Sequence, residues 1–302
     1  MMHIKAIILS CCAIFLALGL AVAQENQNVI DQTGAEITIP QNPQRVICLA
    51  PSVTEIVYAL GRSDVVKGAT VYSNYPEAAK ELPRVGTYIR PDVERIVALE
   101  PDLCLGIVEM TPPEVIERLK SFNLPVVLVK SNTLNAVLSS ITTLGNVLGA
   151  SDRAAALVFT LQETMDRMKT TYSNSPKPKV LYQIGNTPMY TACRDTFINE
   201  LIEIAGGHNV CLSIKGYPQL TREQAVVFMP EVILIPTMGQ GEFEAAKEQW
   251  QSWPEVPAVR DDRIYILDSD LFDRPGPRIA QGIQQLAKMI HTQSPRAGKA
   301  SQ

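Results

Sequence analysis

Short apolar runs alternate with longer amphipathic ones along most of the chain. "VVKGATV", "DLCLGIV", "PVVLV", "KVLYQIG", "EVILIPT" and "RIYILD" are apolar runs of strand length. Between them lie "DVERIVAL", "PEVIERLKSF", "TLNAVLSSITTLGNVLG", "DTFINELIEIAGG" and "REQAVVFM", which read as helices. Continuously apolar strands, each followed by a helix, predict an α/β fold in which mainly parallel sheets are buried beneath helices on both faces. Near the start, "VIDQTGAEITIP" predicts two short strands around a Thr-Gly turn. "RVICLAPSVTEIVYALG" predicts a strand, a Pro-containing turn and a helix. There Ser52 and Glu55 match the S-x-x-E capping box, and Gly61 matches a C-cap.

One helix stands apart. Residues 151–174 contain no Gly or Pro, open on Ser151 as a candidate N-cap, and are closed by Pro176 and Pro178. About 20 helical residues span roughly 30 Å, enough to run from one lobe to another. The strand–helix alternation restarts after it. "ERIVALEPDLCLG" (94–106) and "EQAVVFMPEVILI" (223–235) then share one plan: Glu, six residues, Pro, an acidic residue, an apolar strand. Helix-turn-strand units can look alike by chance, but a helix, a strand and a long helix follow each copy. The predicted organisation is two related lobes, 24–150 and 175–291, joined by one rigid helix over 151–174. A disordered tail is expected over 292–302.

Composition narrows the picture. "MMHIKAIILSCCAIFLALGLAVAQ" has Lys5 before an apolar stretch and Ala21-Val22-Ala23 before Gln24. That pattern predicts a secretory signal peptide, residues 1–23, cleaved after Ala23, and hence a periplasmic protein. The apolar stretch before Cys11 is too short for a lipoprotein signal. The chain has 27 basic residues, one of them Lys5, and 31 acidic ones; its formal charge goes from −4 to −5 on export. That balance argues against a nucleic-acid partner. Cys48, Cys104, Cys193 and Cys211 remain. Three full pairings are open, with Cys193–Cys211 favoured because Cys48 and Cys104 sit inside apparent buried strands.

The chemistry for catalysis is thin. Beyond His3 only His208 and His291 occur, far apart, so no multi-histidine metal site is expected and a Ser-His-Asp triad has little to work with. No G-x-G-x-x-G, Walker A or G-x-S-x-G motif appears. Groups suited to binding are better supplied. Tyr72, Tyr75, Tyr88, Tyr190 and Tyr217, five of nine tyrosines, fall in stretches between elements. In doubly wound sheets the carboxyl ends of strands form the ligand crevice. Tyrosines there suit a broad, weakly polar ligand. "LDSDLFDRPGPR" (267–278) follows the last strand and places Asp270 and Arg274 as an acceptor and a donor fork. The alternative for that pair is a local ion pair four residues apart.

At these residues the chain resembles the substrate-binding proteins of ABC importers. More narrowly, it is similar to the periplasmic cobalamin-binding proteins of the iron-siderophore/cobalamin class. "RVICLAPSVTEIVYALG", "YSNYP", "ERIVALEPDL", "YPQLTREQ" and "FDRPGPR" carry the likeness, over roughly residues 28–291. The resemblance implies two α/β lobes on one long helix, and because that one stiff helix joins them only small closure on binding is expected. It implies a monomer without enzymatic activity, metal or cofactor, whose corrinoid ligand is cargo. Tyr72, Tyr88, Tyr190 and Tyr217 would frame the corrin ring, and Asp270 and Arg274 would bond its peripheral amides. Glu94 and Glu223 would dock with the dimeric membrane subunits; locally, each is also an acid favoured at a helix N-terminus. Relatives often carry tryptophan where this chain has Tyr88, Tyr217 and Ile107, so haem, with a loop tyrosine near Thr87–Tyr88 as iron ligand, is the alternative cargo. A ferric siderophore would want more basic residues, and an exported hydrolase would need a nucleophile–base pair.

Overall fold

The computed structural model describes residues 25–237 and 243–292. The expected signal peptide and all of the expected tail except Thr292 lie outside those residues. The first half comprises β1 (Asn26–Ile30), β2 (Glu36–Pro40), β3 (Val46–Cys48), α1 (Pro51–Ala59), β4 (Val66–Ala69), α2 (Val93–Ala98), β5 (Leu103–Ile107), α3 (Pro113–Ser121), β6 (Val126–Val129) and α4 (Leu134–Val147). The long helix is α5 (Ser151–Thr171). Beyond it come β7 (Lys179–Ile184), β8 (Met189–Thr191), α6 (Phe197–Ile204), β9 (His208–Asn209), β10 (Gln219–Leu220), α7 (Arg222–Val226) and β11 (Val232–Pro236). α8 (Phe243–Gln249), α9 (Pro257–Arg260), β12 (Ile264–Leu267), α10 (Ser269–Phe272) and α11 (Ile279–His291) complete the second half.

Two sheets result. The N-terminal one is parallel throughout, in the order β4-β3-β5-β6. The C-terminal one runs β10-β8-β7-β11-β12, with β9 also pairing with β7. Its β7, β11 and β12 are parallel, whereas β8 pairs antiparallel with both β7 and β10. β1 and β2 form the expected hairpin. Asp31 fixes its turn by accepting from the backbone N–H of Thr33 and Ala35, and its other oxygen accepts from Leu128 of β6.

The duplicated plan is visible in backbone geometry. Glu94 is the second residue of α2 and Glu223 the second residue of α7. Each helix is followed by a residue in the left-handed region, Glu100 at φ 48° and Met229 at φ 50°, directly before the matched prolines. A left-handed residue turns the chain out of the helix, and the proline after it favours extended backbone into β5 or β11. The two N-caps differ. Asp92 accepts from Arg95 N–H, whereas Thr221 and Gln224 form a full capping box.

Two local expectations are corrected. α1 begins at Pro51 with Ala50 as N-cap and no side-chain cap, so Ser52 and Glu55 do not form a capping box. Proline at the first helical position needs no partner for a missing N–H, and Glu55 is drawn elsewhere. α5 is likewise capped by Ala150, with Ser151 as its first residue. Gly61 does close α1: at φ 66° it donates to Tyr58 O while Arg62 donates to Val57 O, a Schellman motif.

The core ties the halves together. One apolar cluster runs unbroken from Ile56 of α1 through Ile141 of α4 and Leu161 and Met165 of α5 to Ile283, Leu286 and Ile290 of α11. Separate clusters fill the outer face of each sheet, around Ile47 and Cys104 in the first half and Ile233 and Trp250 in the second. At roughly 1.5–3 kcal/mol per fully buried aliphatic side chain, the few residues of α5 and α11 alone oppose any separation of the lobes.

Cys193 and Cys211 form a disulfide across 18 residues. Cys48 and Cys104 are free and buried, and burial pushes each thiol up to about 12. They lie on adjacent strands but belong to opposite faces of the sheet, so they cannot pair. A loop of this size predicts that Cys193→Ala/Cys211→Ala lowers unfolding free energy by about 3 kcal/mol, measured by urea denaturation. A loss below about 1 kcal/mol would show that the 193–211 segment is held by its own packing.

Candidate functional site

A cavity of about 600 Å³ opens between the lobes. Pro51 and Ser52 after β3, Tyr72 after β4 and Met110 after β5 line one side, together with Tyr88. Thr237 after β11 and Ser269, Asp270, Asp273 and Arg274 after β12 line the other. The strand ends of both sheets thus converge on one groove, as parallel sheets dictate. Tyr72 and Tyr88 stand together, ring centroids 5.6 Å apart at 54°, and Tyr72 is 50% exposed. Such a tilted pair presents a broad apolar wall with hydroxyls at its rim.

Beneath this wall the lobes are joined by charge. Glu55 of α1 is 2% exposed and receives both arginines of the "DRPGPR" segment. Arg278 binds it bidentately, at 2.7 and 2.6 Å, donates to Asp270 O, and lies 4.0 Å over the ring of Tyr75. Arg274 donates to Glu55 at 3.2 Å, to Asn74 Oδ1 at 2.7 Å and to Tyr72 O at 3.0 Å, and pairs closely with Asp270. Asn74 completes the circuit by donating to Asp270 Oδ2 at 2.6 Å. Arg274 and Asp270 therefore reach the cavity with most of their hydrogen bonds already directed at the protein.

Asp273 differs. Tyr182 of β7 donates its hydroxyl to Asp273 Oδ1 at 2.6 Å, but Oδ2 is shielded from solvent and has no partner. Burial pushes this carboxyl up to about 7; the Tyr182 hydrogen bond pulls it down, and the charges of Asp268 and Asp270 push it further up. Tyr217, 52% exposed, has its phenol pushed up to about 12 by burial and then by Asp273, against a hydrogen bond from Thr196. Tyr190 sits on β8 opposite Gln219 and is 38% exposed.

The structure brings Tyr72, Tyr88, Asp270 and Arg274 round one cavity, whereas Tyr190 and Tyr217 stand on the second lobe outside the cavity wall. Ile107 is 2% exposed in the core, so it offers no platform; Met110, in the turn beyond it, faces the cavity instead. Glu55, Asn74, Met110 and Asp273 were not singled out from sequence as site residues. For Asp273 the signal was its place in "LDSDLFDRPGPR", and for Asn74 its place in "YSNYP". Glu94 and Glu223 are both exposed and neither lines the cavity. Glu94 pairs with Arg118 at 2.7 Å in a solvated ion pair. Glu223 is held below the usual carboxylate range by its own helix-terminal backbone N–H and the Thr221 hydroxyl. Among the described residues no cluster of His, Cys, Asp and Glu could hold a metal ion.

Two sheets under helices, a connecting helix and a cleft between their strand ends define a two-lobed ligand-binding protein. Residues 46–271 match the periplasmic binding protein family, and the chain belongs to it. It is 32% identical over 269 residues, 86% of this chain and 84% of the other, to the uncharacterized ABC transporter substrate-binding lipoprotein YvrC of Bacillus subtilis. It is 30% identical to the vitamin B12-binding protein of Vibrio parahaemolyticus, over 84% of this chain and 92% of that one. Among solved structures it superposes on the periplasmic vitamin B12 binding protein BtuF of Vibrio cholerae (TM-score 0.74, 27% identity, 83% of this chain and 98% of that one). It matches a periplasmic heme binding protein from Pseudomonas aeruginosa equally well (TM-score 0.75, 29% identity, 82% and 93%).

Glu55→Ala should leave Arg278 without its carboxylate partner and Arg274 with Asp270 alone, and destabilise the protein by about 3–5 kcal/mol, read from urea unfolding. A cost near that of an exposed pair, under about 1 kcal/mol, would show that the arginines find water or other acceptors.

Proposed function

We propose that this protein is a monomeric, non-enzymatic periplasmic carrier. It captures cobalamin or a related corrinoid between its lobes and delivers it to an inner-membrane ABC importer. The observation that carries this is the cleft itself: a paired tyrosine wall, Tyr72 and Tyr88, faces a polar edge of Ser269, Asp270 and Asp273 across about 600 Å³. An aromatic wall suits the face of a wide ring, and hydrogen-bond acceptors suit amides on its periphery. The vitamin B12-binding names of the relatives point the same way.

Haem is the second reading, favoured by the structural likeness to a heme binding protein and by a tyrosine, Tyr88, on the cavity wall. Native mass spectrometry with cobalamin, cobinamide, haemin and ferric chelates separates the two. The expected result is a one-to-one corrinoid complex, with Tyr88→Ala weakening it roughly tenfold, about 1.4 kcal/mol. A haemin complex with a tyrosinate-iron spectrum, lost in Tyr88→Phe, would replace the corrinoid reading.

Glu94 and Glu223 are the proposed contacts with the importer. They occupy equivalent positions on equivalent short helices, one per lobe, which suits a partner with two-fold symmetry. The exposed Glu94–Arg118 pair is worth at most about 1 kcal/mol, so an importer arginine could displace Arg118. Glu94→Ala/Glu223→Ala should leave ligand affinity unchanged and cut uptake by importer-bearing vesicles by roughly tenfold or more. Unchanged uptake would return both residues to helix-terminal acids.

A further inference from the structure

The polar balance of the cleft is uneven. Among the described residues its walls carry one cation, Arg274, and that guanidinium is occupied by Glu55, Asn74, Tyr72 O and Asp270. Against it stand Asp270 and Asp273 in the wall, with Asp268 close behind as the N-cap of α10. Asp270 has both oxygens engaged, by Arg274 and Asn74. Asp273 has only one, held by Tyr182, and the second is buried without a donor. A buried acceptor left unpaired is costly unless something else supplies the hydrogen. Asp273 lines the cavity, and because a carboxylate's terminal torsion is broad, rotation can turn that oxygen toward a ligand.

We propose that Asp273 is the selectivity carboxylate of the cleft, accepting an N–H from a ligand fringed with amides and repelling ligands that carry carboxylates of their own. This rests on the corrinoid reading above and sharpens it: peripheral primary amides supply the missing donor, whereas the propionates of haem would enter a cleft with surplus negative charge. The groups facing Asp273 are Tyr182 from β7, Tyr217 before β10, and Asp268, Asp270 and Arg274 from its own segment. Tyr182 and Tyr217 both have phenols pushed above their ordinary value, partly by Asp273 itself, so neither competes as an anion. In the free protein burial holds the Asp273 carboxyl near 7. A ligand N–H favours the charged form, so binding releases a proton around that pH. Affinity then rises as pH climbs through about 7 and levels off above it.

The test is calorimetric titration of the full-length mature protein and Asp273→Asn with cobalamin and with haemin, at pH 6 and pH 8. The pH 6 runs are made in buffers of different ionisation enthalpy. In the wild type, cobalamin affinity should fall by roughly tenfold from pH 8 to pH 6, with proton release on binding at pH 6. Asp273→Asn should flatten that profile, lose roughly tenfold in cobalamin affinity at pH 8, and gain haemin affinity. Wild type that binds cobalamin with a flat profile and no proton release would overturn the role of Asp273 while leaving the corrinoid reading intact. So would an Asn variant unchanged toward both ligands. Wild type that takes haemin and refuses cobalamin would sink both. If the Asn variant fails to fold, the wild-type profile and proton count decide alone.

Discussion

Burying one carboxylate between the lobes is the constraint on which the rest depends. Glu55 sits on α1, a helix of the first sheet, and its partners Arg274 and Arg278 follow the last strand of the second sheet. A lone carboxylate with 2% exposure would be prohibitively costly, so the two guanidinium groups must be present whenever the fold is. That requirement fixes the Pro-Gly-Pro segment against α1, brings Asp270 to Asn74, and clamps the Tyr72–Tyr75 loop from beneath through Tyr72 O and the Tyr75 ring. The aromatic wall of the cleft is consequently set by charge pairing at its base. Continuous apolar packing through α5 and α11 acts alongside, and both oppose separation of the lobes.

The two halves share more than an alternation of elements. Each places a Glu at the second position of a short helix, ends that helix with a left-handed residue, and enters its next strand after a proline. They diverge at the sheet edges. The second half inserts β8 and β10 antiparallel, stitched to the 193–211 region by the disulfide, and this insertion carries Tyr190 and Tyr217. Among the described residues the first half has no counterpart at that edge, and its cleft tyrosines come from the loops after β4 instead. The cleft is therefore asymmetric, with rings on the first lobe and carboxylates on the second, although the frame is duplicated.

Elements were legible in the sequence where the signal is local. Strands apolar throughout and helices with 3.6-residue spacing declare themselves, and the long helix showed by its lack of Gly and Pro. Left-handed Glu100 and Met229 were invisible, because neither residue type prefers that conformation. Ser52 and Glu55 satisfied a local motif that the fold overrides: proline starts the helix, and Glu55 is claimed by arginines 219 and 223 residues away. Likewise Asp273 stood in plain view, but its special position depends on Tyr182, 91 residues earlier. Pairings of that range cannot be inferred from spacing alone.

Among the described residues, the charged groups of the cleft differ in how fully their bonds are made. Arg274, Asp270 and Asn74 satisfy one another, so a ligand touching them gains only what their spare lone pairs and edges offer. Asp273 keeps an acceptor without a donor, at a cost of about 1–3 kcal/mol to the empty protein. Folded chains tolerate such a group mainly where function recovers the loss. Completing the bond on capture converts that deficit into affinity, and a ligand that cannot supply the hydrogen recovers nothing. Rigid framing by Glu55 makes this discrimination possible, because a cleft free to relax would satisfy Asp273 from within.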